Sequence, residues 1–314
     1  MERSRTDIAT DIEVPIPAHL RHLGTSTLAR LTGNPEGRLV VALGGISANR
    51  FVASGAYRSI GWWPGLVGEG LAVDPARHRI LGLDFAADET GRSAPTTHEQ
   101  AEILAEAIEL SGGGPAVVIG ASYGGMAALA LAEARPELVE RLVIISAPAA
   151  PHPSATAIRE LQRRVVALGL ETGRGLEGLS IARGLAMTTY RTPEEFAGRF
   201  EGGIPDADPL STSDAGAYLR ARGDVYGDVM SPERFLSLSA SIDRHKVDPA
   251  AISHPTLVLA ATSDRLVPPE QSAALAEALP KGELHLIDCL FGHDMFLKEA
   301  GKVGALVGPF LEEA

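Results

Sequence analysis

Short apolar runs recur along the chain, and segments of helical composition separate them. The runs are rich in leucine and β-branched residues, which is typical of strands that are buried on both faces. They occupy residues 39–43, 79–85, 116–120, 141–147, 256–261 and 283–288. Helical composition or periodicity is found at 98–110, 126–135, 269–279 and 298–311. This alternation predicts an α/β fold with a mainly parallel sheet and helices on both faces.

The alternation stops between about residues 148 and 251. This stretch contains helical patterns such as AIRELQRRVVALGL at 157–170, but no clear series of strands. We therefore predict a core formed by residues 1–147 and 252–314, and a helical lid domain formed by residues 148–251. The lid is expected above the carboxyl ends of the strands, where open α/β sheets hold their ligands.

Charge and cysteine content narrow the class of protein. The formal net charge of −12 argues against nucleic acid or an anionic membrane as a partner, since either needs a basic surface. The N-terminal segment is charged and lacks the apolar core of a secretory signal, so we expect a cytoplasmic protein. Cys289 is the single cysteine, and the nine histidines show no metal-ligand spacing, so we predict neither a disulfide nor a metal. Cys289 is interpreted as a core filler.

One uncharged stretch, residues 110–132, is long enough to span a bilayer. Its glycines and Pro115 divide it into a loop, a strand, a turn and a helix, so no membrane association is predicted.

A serine lies between glycines at the end of one apolar run. Residues 116–125 read AVVIGASYGG, and a helix-forming segment follows. Ser122 therefore falls on a sharp turn between strand and helix, which is the layout of a nucleophile elbow. Side chains at Gly120 and Gly124 would clash in such a turn, and Gly125 lets the helix pack closely. Because such short patterns also occur by chance, the motif gains weight only from its partners.

A serine hydroxyl becomes a good nucleophile only with a base in reach and an acid that orients the base. Asp264 follows the run TLVLAA, and His293 lies in the loop FGHDMF after the last run. Their order after Ser122 is that of α/β-hydrolases, so we predict the three residues as a catalytic triad. The alternative for Asp264 is a turn former. His254 and His285, at the start of a strand and within one, are interpreted as structural.

Acyl chemistry also needs two backbone amides aimed at the developing oxyanion. Tyr123 follows the nucleophile and supplies the first amide. The second is expected from the loop after the run LVVAL, where Gly44 and Gly45 allow close approach, and Leu43 is the first candidate. A plain tight turn is the alternative role of the two glycines.

Together these residues resemble the homoserine O-acyltransferase family of the α/β-hydrolase fold. The likeness spans nearly the whole chain. Its specific motifs are GASYGGM at 120–126, ARGLAMTTYRTPEEFAGRF at 182–200, YLRARGD at 218–224 and GHDMFLKE at 292–299. The motif at 182–200 counts most, since an ordinary esterase has no reason to carry it.

The resemblance implies a set of substrate contacts. In that family, homoserine is contacted by an arginine, by a tyrosine seven residues later, and by the aspartate after the catalytic histidine. The matching positions are Arg183, Tyr190 and Asp294. A guanidinium can hold the amino-acid carboxylate, and a carboxylate can hold the ammonium. Without the resemblance, Arg183 would be interpreted as a solvated helix charge.

The resemblance also implies ping-pong transfer from an acyl-CoA to L-homoserine, in methionine biosynthesis, with acyl-CoA as co-substrate and no cofactor. Ser122, deprotonated by His293, takes the acyl group from the thioester, and homoserine then takes it from Ser122. Family members dimerise through lid helices, so a homodimer is expected.

Two departures from the family concern the acyl donor. Tyr123 stands where many acetyl-transferring members have methionine, and the oxyanion loop reads ALGGISANR instead of carrying a Leu-Thr-Gly pattern. The compact chain is similar to the short members that use succinyl-CoA, so we favour succinyl-CoA over acetyl-CoA. Arg50 is the candidate cation for the terminal carboxylate of a succinyl group, with a solvated surface role as the alternative.

Other functions stay open at this point. The triad alone fits a serine ester hydrolase or lactonase, and the acceptor contacts fit serine as well as homoserine. The fold alone fits a binding protein without activity. Arg183 and Tyr190 favour the transferase, and the complete triad weighs against the binding protein.

Overall fold

The protein, seen in a computed structural model that describes residues 9–54 and 61–313, is built around one twisted sheet. The strands are β1 (Thr10–Pro15), β2 (Ser26–Gly33), β3 (Arg38–Leu43), β4 (His78–Leu83), β5 (Ala116–Ala121), β6 (Val139–Ile145), β7 (Thr256–Ala261) and β8 (Gly282–Ile287). Their order across the sheet is β1-β2-β4-β3-β5-β6-β7-β8. From β4 to β8 every pair is parallel. The predicted α/β class and all six predicted strands are therefore confirmed.

Strands β1 and β2 were not predicted. They form the antiparallel edge of the sheet, and β2 pairs with β4. Residues of β1 alternate between exposed and partly or fully buried positions, and its apolar residues number only two before the final proline. The sequence pattern of such a half-exposed edge strand is much weaker than that of the buried strands.

Ten α-helices lie in the described ranges. They are α1 (Thr97–Leu110), α2 (Tyr123–Ala134), α3 (Pro153–Glu171), α4 (Gly175–Tyr190), α5 (Pro193–Ala197), α6 (Asp214–Asp224), α7 (Pro232–Asp243), α8 (Pro269–Ala278), α9 (Met295–Lys298) and α10 (Ala300–Glu312). Two apolar clusters cover the two faces of the sheet, one including side chains of α1 and α2 and the other side chains of α10. This is the two-sided covering that a parallel sheet requires.

Helices α3 to α7 all lie between β6 and β7, where the sequence shows no strand series. Helix α3 packs against α4 and α7, so these helices form a layer of their own. The division into a core and a separate lid domain at 148–251 stays a prediction.

The uncharged stretch at 110–132 is divided between the end of α1, strand β5 and helix α2. Among the described residues, no helix is both long enough and apolar enough to cross a membrane.

Candidate active site

Ser122 occupies the turn between β5 and α2 in a strained backbone conformation. Its φ is 54° and its ψ is −122°, outside the regions that non-glycine residues prefer. The turn is held by hydrogen bonds from the amide of Ser122 to the carbonyl of Ile145 (2.9 Å) and from the amide of Met126 to the carbonyl of Ser122 (3.2 Å). The conformation directs the serine side chain out of the sheet edge, as an elbow requires.

The glycines around Ser122 are required by close backbone contacts. A Cβ at Gly120 would lie 2.4 Å from the carbonyl oxygen of Gly124, and one at Gly124 would lie 2.5 Å from the backbone of Leu43. A Cβ at Gly125 would lie 2.6 Å from that of Ala147. All three distances are shorter than van der Waals contact, so these positions exclude any side chain.

Asp264 and His293 reach the elbow from the ends of β7 and β8. The Oγ of Ser122 is 2.9 Å from Nε2 of His293, and Nδ1 of His293 is 2.8 Å from Oδ2 of Asp264. The other oxygen of Asp264 accepts hydrogen bonds from the amides of Leu266 (2.8 Å) and Val267 (3.0 Å). With Nδ1 protonated, His293 donates to Asp264 and accepts from the serine hydroxyl, which is the arrangement of a general base.

The environment of His293 sets its basicity. Burial lowers its pKa, but the charge and hydrogen bond of Asp264 and the charge of Asp294 outweigh burial, so the pKa is raised above its usual value. A raised pKa makes the imidazole a stronger base toward the serine hydroxyl.

Leu43 ends β3 directly beside the elbow, and the carbonyl of Gly44 accepts a hydrogen bond from the amide of Gly124 (2.8 Å). The loop after Gly44 lines the cavity next to Ser122 with Gly45, Ile46, Ser47 and Ala48. Leu43 therefore lies against the first turn of α2, and Tyr123, the first residue of that helix, directly follows the nucleophile. Their role as oxyanion donors stays a prediction.

The side chain of Tyr123 points away from the chemistry. It is fully buried, its hydroxyl is 2.6 Å from Oγ of Ser241 on α7, and its ring packs edge-on against Phe85. It is not among the residues that line the cavity. Tyr123 therefore ties α2 to α7, and its side chain does not shape the cavity directly.

A cavity of about 220 Å³ opens at Ser122 and His293. Arg183, Tyr190 and Asp294 line it together with those two residues. The fold thus brings the three positions taken from the family resemblance to one cavity, although Arg183 and Asp294 lie more than a hundred residues apart in the sequence.

Arg183 is held over two tyrosine rings, 5.5 Å from the ring centre of Tyr190 and 4.7 Å from that of Tyr226. Within the described residues, no carboxylate lies within 4.0 Å of its guanidinium. The aromatic rings orient the cation and leave its hydrogen-bond donors free for an anionic ligand.

Asp294 lies 3.3 Å from Nε of Arg191, measured from its Oδ2. Burial raises the pKa of Asp294, against the opposing charges of Arg191, His293 and Arg183. Among the described residues, Asp294 thus lines the cavity with a single ion pair, to Arg191, which also pairs with Glu195. A ligand ammonium would give this carboxylate a second ion pair.

Arg50 does not line the cavity. Its Nη1 is 2.6 Å from Oδ2 of Asp84, its Nε is 3.3 Å from Asp11, and its side chain is 18% exposed. The guanidinium is therefore paired with two carboxylates. Although Arg50 lies only a few residues after the oxyanion loop, its side chain does not reach the cavity. The role in succinyl binding that the sequence suggested for Arg50 is not retained.

Several cavity residues were not predicted. Trp62 and Phe296 line the cavity, and Arg159 and Gln162 line it from α3. The sequence carried no signal for the last two, because α3 buries Arg159 and Gln162 while Leu161 and Leu168 of the same helical pattern are exposed. His254 and His285, interpreted as structural, do not line the cavity. His285 instead lies 2.7 Å from Glu283.

The sheet order, the elbow and the hydrogen-bonded triad define a protein of the α/β-hydrolase class. A family model described as alpha/beta hydrolase fold matches residues 39–300. A homoserine O-succinyltransferase from Xanthomonas campestris pv. campestris is 39% identical over 302 residues, which cover 94% of this chain and 82% of that relative. A homoserine O-acetyltransferase from Deinococcus radiodurans is 31% identical over 266 residues, which cover 80% of this chain and 77% of that relative.

The chain therefore belongs to the homoserine O-acyltransferase family of the α/β-hydrolase fold. The crystal structure of homoserine O-acetyltransferase from Bacillus anthracis superposes with a TM-score of 0.85 over 98% of both chains. At 15% identity this similarity supports the fold alone. The resemblance inferred from the sequence motifs is confirmed.

Proposed function

We propose that the protein transfers an acyl group, preferentially succinyl, from acyl-CoA to the hydroxyl of L-homoserine through an acyl-enzyme on Ser122. The observation that carries the proposal is the convergence of Arg183, Tyr190 and Asp294 on the cavity that holds Ser122 and His293. The relatives named above favour homoserine as acceptor, and the more similar of the two is named for succinyl transfer. Such a reaction belongs to methionine biosynthesis.

In the first half-reaction, Nε2 of His293 takes the hydroxyl proton of Ser122 as Oγ attacks the thioester carbonyl. The amides of Leu43 and Tyr123 are assigned to the oxyanion that forms. The tetrahedral intermediate collapses as His293 returns the proton to the CoA sulfur. Free CoA leaves, and an ester remains on Ser122.

In the second half-reaction, homoserine enters with its carboxylate on Arg183 and its ammonium on Asp294. His293 takes the proton of the side-chain hydroxyl, whose oxygen attacks the acyl-enzyme. The proton then returns to Oγ of Ser122 as the product ester leaves. Holding the amino acid at both ends places its hydroxyl better than free water, and this positioning favours transfer over hydrolysis.

The test is a donor and acceptor comparison. The protein is incubated with succinyl-CoA or acetyl-CoA, each without acceptor, with homoserine or with serine, while CoA release and ester formation are followed. We expect ester formation with homoserine, faster from succinyl-CoA. CoA release that ignores both amino acids and gives only free acid would identify a hydrolase instead, and ester formation only with serine would change the acceptor.

A further inference from the structure

The cavity contains a second arginine besides Arg183. Helix α3 presents Ala155, Ile158, Arg159 and Gln162 to the cavity, and this spacing places them on one face of the helix. The side chain of Arg159 is only 9% exposed, which is unusual for an arginine. A buried guanidinium in the wall of the cavity is costly unless a negative charge balances it.

Asp243 of α7 is shared by two arginines. Arg159 donates to its Oδ1 from Nε (2.8 Å) and from Nη2 (2.5 Å), and Arg163 donates to Oδ2 from Nη1 (2.7 Å). Asp243 is 11% exposed and Arg163 is 18% exposed. One carboxylate can neutralise only one of the two guanidinium groups, so the cluster keeps a surplus positive charge in a poorly solvated place.

The surplus charge is available to the cavity. Among the described residues, no hydrogen bond engages Nη1 of Arg159, since its recorded bonds use Nε and Nη2. Of the described residues that line the cavity, Asp294 is the single acidic one, and it is already paired with Arg191. A carboxylate from a ligand would balance the cluster and use the free donor.

Electrostatics also link Arg159 to the triad. Burial is the largest influence on the pKa of His293 and lowers it, and the charge of Arg159 lowers it further, whereas Asp264 and Asp294 raise it. Arg159 therefore acts on the same site as the nucleophile.

We propose that Arg159 binds the terminal carboxylate of the acyl group carried by Ser122, and so selects a donor whose acyl chain ends in a carboxylate over acetyl-CoA. This inference rests on the proposed acyl transfer. It assigns the two cations of the cavity to two different carboxylates, Arg183 to the amino acid and Arg159 to the acyl chain. Succinyl-CoA, with two methylene groups between its carbonyl groups, is the probe.

The experiment compares kcat/KM for succinyl-CoA and acetyl-CoA in the wild-type protein and in Arg159→Gln. Loss of one charge-assisted contact should lower the ratio of succinyl to acetyl transfer about 10- to 100-fold. Arg164→Gln removes the same charge from an exposed position of the same helix, so it should leave the ratio unchanged. An equal loss with both donors in Arg159→Gln, or an equal change in the ratio in Arg164→Gln, would overturn the assignment.

Arg159→Lys provides a second variant, because it keeps the charge and loses the planar fork. Its ratio should lie between those of the wild type and Arg159→Gln, and it decides the question if the glutamine variant does not fold. An unchanged ratio in Arg159→Lys together with an unfolded glutamine variant would count against the proposal.

A binding measurement separates recognition from chemistry. With Ser122→Ala, calorimetry should show tighter binding of succinyl-CoA than of acetyl-CoA, and adding Arg159→Gln should remove the difference. Equal binding of both donors to Ser122→Ala would contradict the role of Arg159. A wild-type protein that transfers acetyl but not succinyl to homoserine defeats this inference and the preference for succinyl, but it leaves acyl transfer to homoserine standing. Transfer from neither donor defeats the proposed function as a whole.

Discussion

Replacing Asp264 with asparagine should move the acid limb of the pH profile to lower pH. The carboxylate is fully buried and lies 2.8 Å from Nδ1 of His293, so it stabilises the imidazolium directly. Without its charge, the burial that lowers the pKa of His293 is opposed only by weaker influences such as Asp294, and the pKa falls. Since the neutral imidazole is the active form, a lower pKa extends activity toward acid.

The size of the effect follows from the distance. Two unit charges 2.8 Å apart at an effective dielectric constant of about 20 attract by roughly 6 kcal/mol, an upper bound because both charges are delocalised. A single opposite neighbour typically changes a pKa by about 1 to 3 pH units, which is the change expected here. The maximal rate should fall about 10³- to 10⁴-fold because the asparagine no longer holds the correct tautomer.

The assay is CoA release in the presence of homoserine, followed as kcat/KM between about pH 5 and 9. The wild-type acid limb should lie above the usual histidine value, because the pKa of His293 is raised. Asp294→Asn should give a smaller displacement in the same direction. An acid limb that stays in place or moves to higher pH in Asp264→Asn would refute the role given to this pair.

Three further substitutions test the acceptor contacts and the packing. Arg183→Met should raise KM for homoserine about 10- to 100-fold while first-turnover CoA release persists, and an unchanged KM in steady-state assays would remove Arg183 from the acceptor site. Gly124→Ala places a Cβ 2.5 Å from the backbone of Leu43 and should lower the unfolding free energy by about 1 to 3 kcal/mol in denaturant titration. Gly301→Ala, which meets nothing within 4 Å, is its control and should not be destabilised. Thr96→Ala removes the capping box of α1 and should cost about 1 kcal/mol, and no change in the titration midpoint would mean that the cap is dispensable.

The central part of the fold could be predicted from the sequence because buried parallel strands leave continuous apolar runs. The edge strands at Thr10–Pro15 and Ser26–Gly33 could not, since each has exposed positions and pairs antiparallel. Their polar residues hide the strand pattern. The chain order of the strands also says nothing of the crossover that places β4 between β2 and β3.

The triad was accessible to sequence reasoning because each member follows a strand, and the carboxyl ends of parallel strands meet at one sheet edge. Arg159 was not, since its contact with Asp243 depends on how α3 packs against α7. The role suggested for Arg50 illustrates the converse, because its side-chain contacts outweigh its position in the sequence. Nearness in sequence to the oxyanion loop suggested a ligand contact, but Asp11 and Asp84 draw its guanidinium away from the cavity.

The most direct test of the acyl relay is a mass measurement of the intact protein. After mixing with succinyl-CoA in the absence of acceptor, the protein should gain the mass of one succinyl group, located on the peptide that contains Ser122. Adding homoserine should remove that mass and yield O-succinylhomoserine in equal amount, and Ser122→Ala should gain nothing. Product formation without any acylation of Ser122, or an acyl-enzyme that decays to free succinate at the same rate with and without homoserine, would contradict the mechanism.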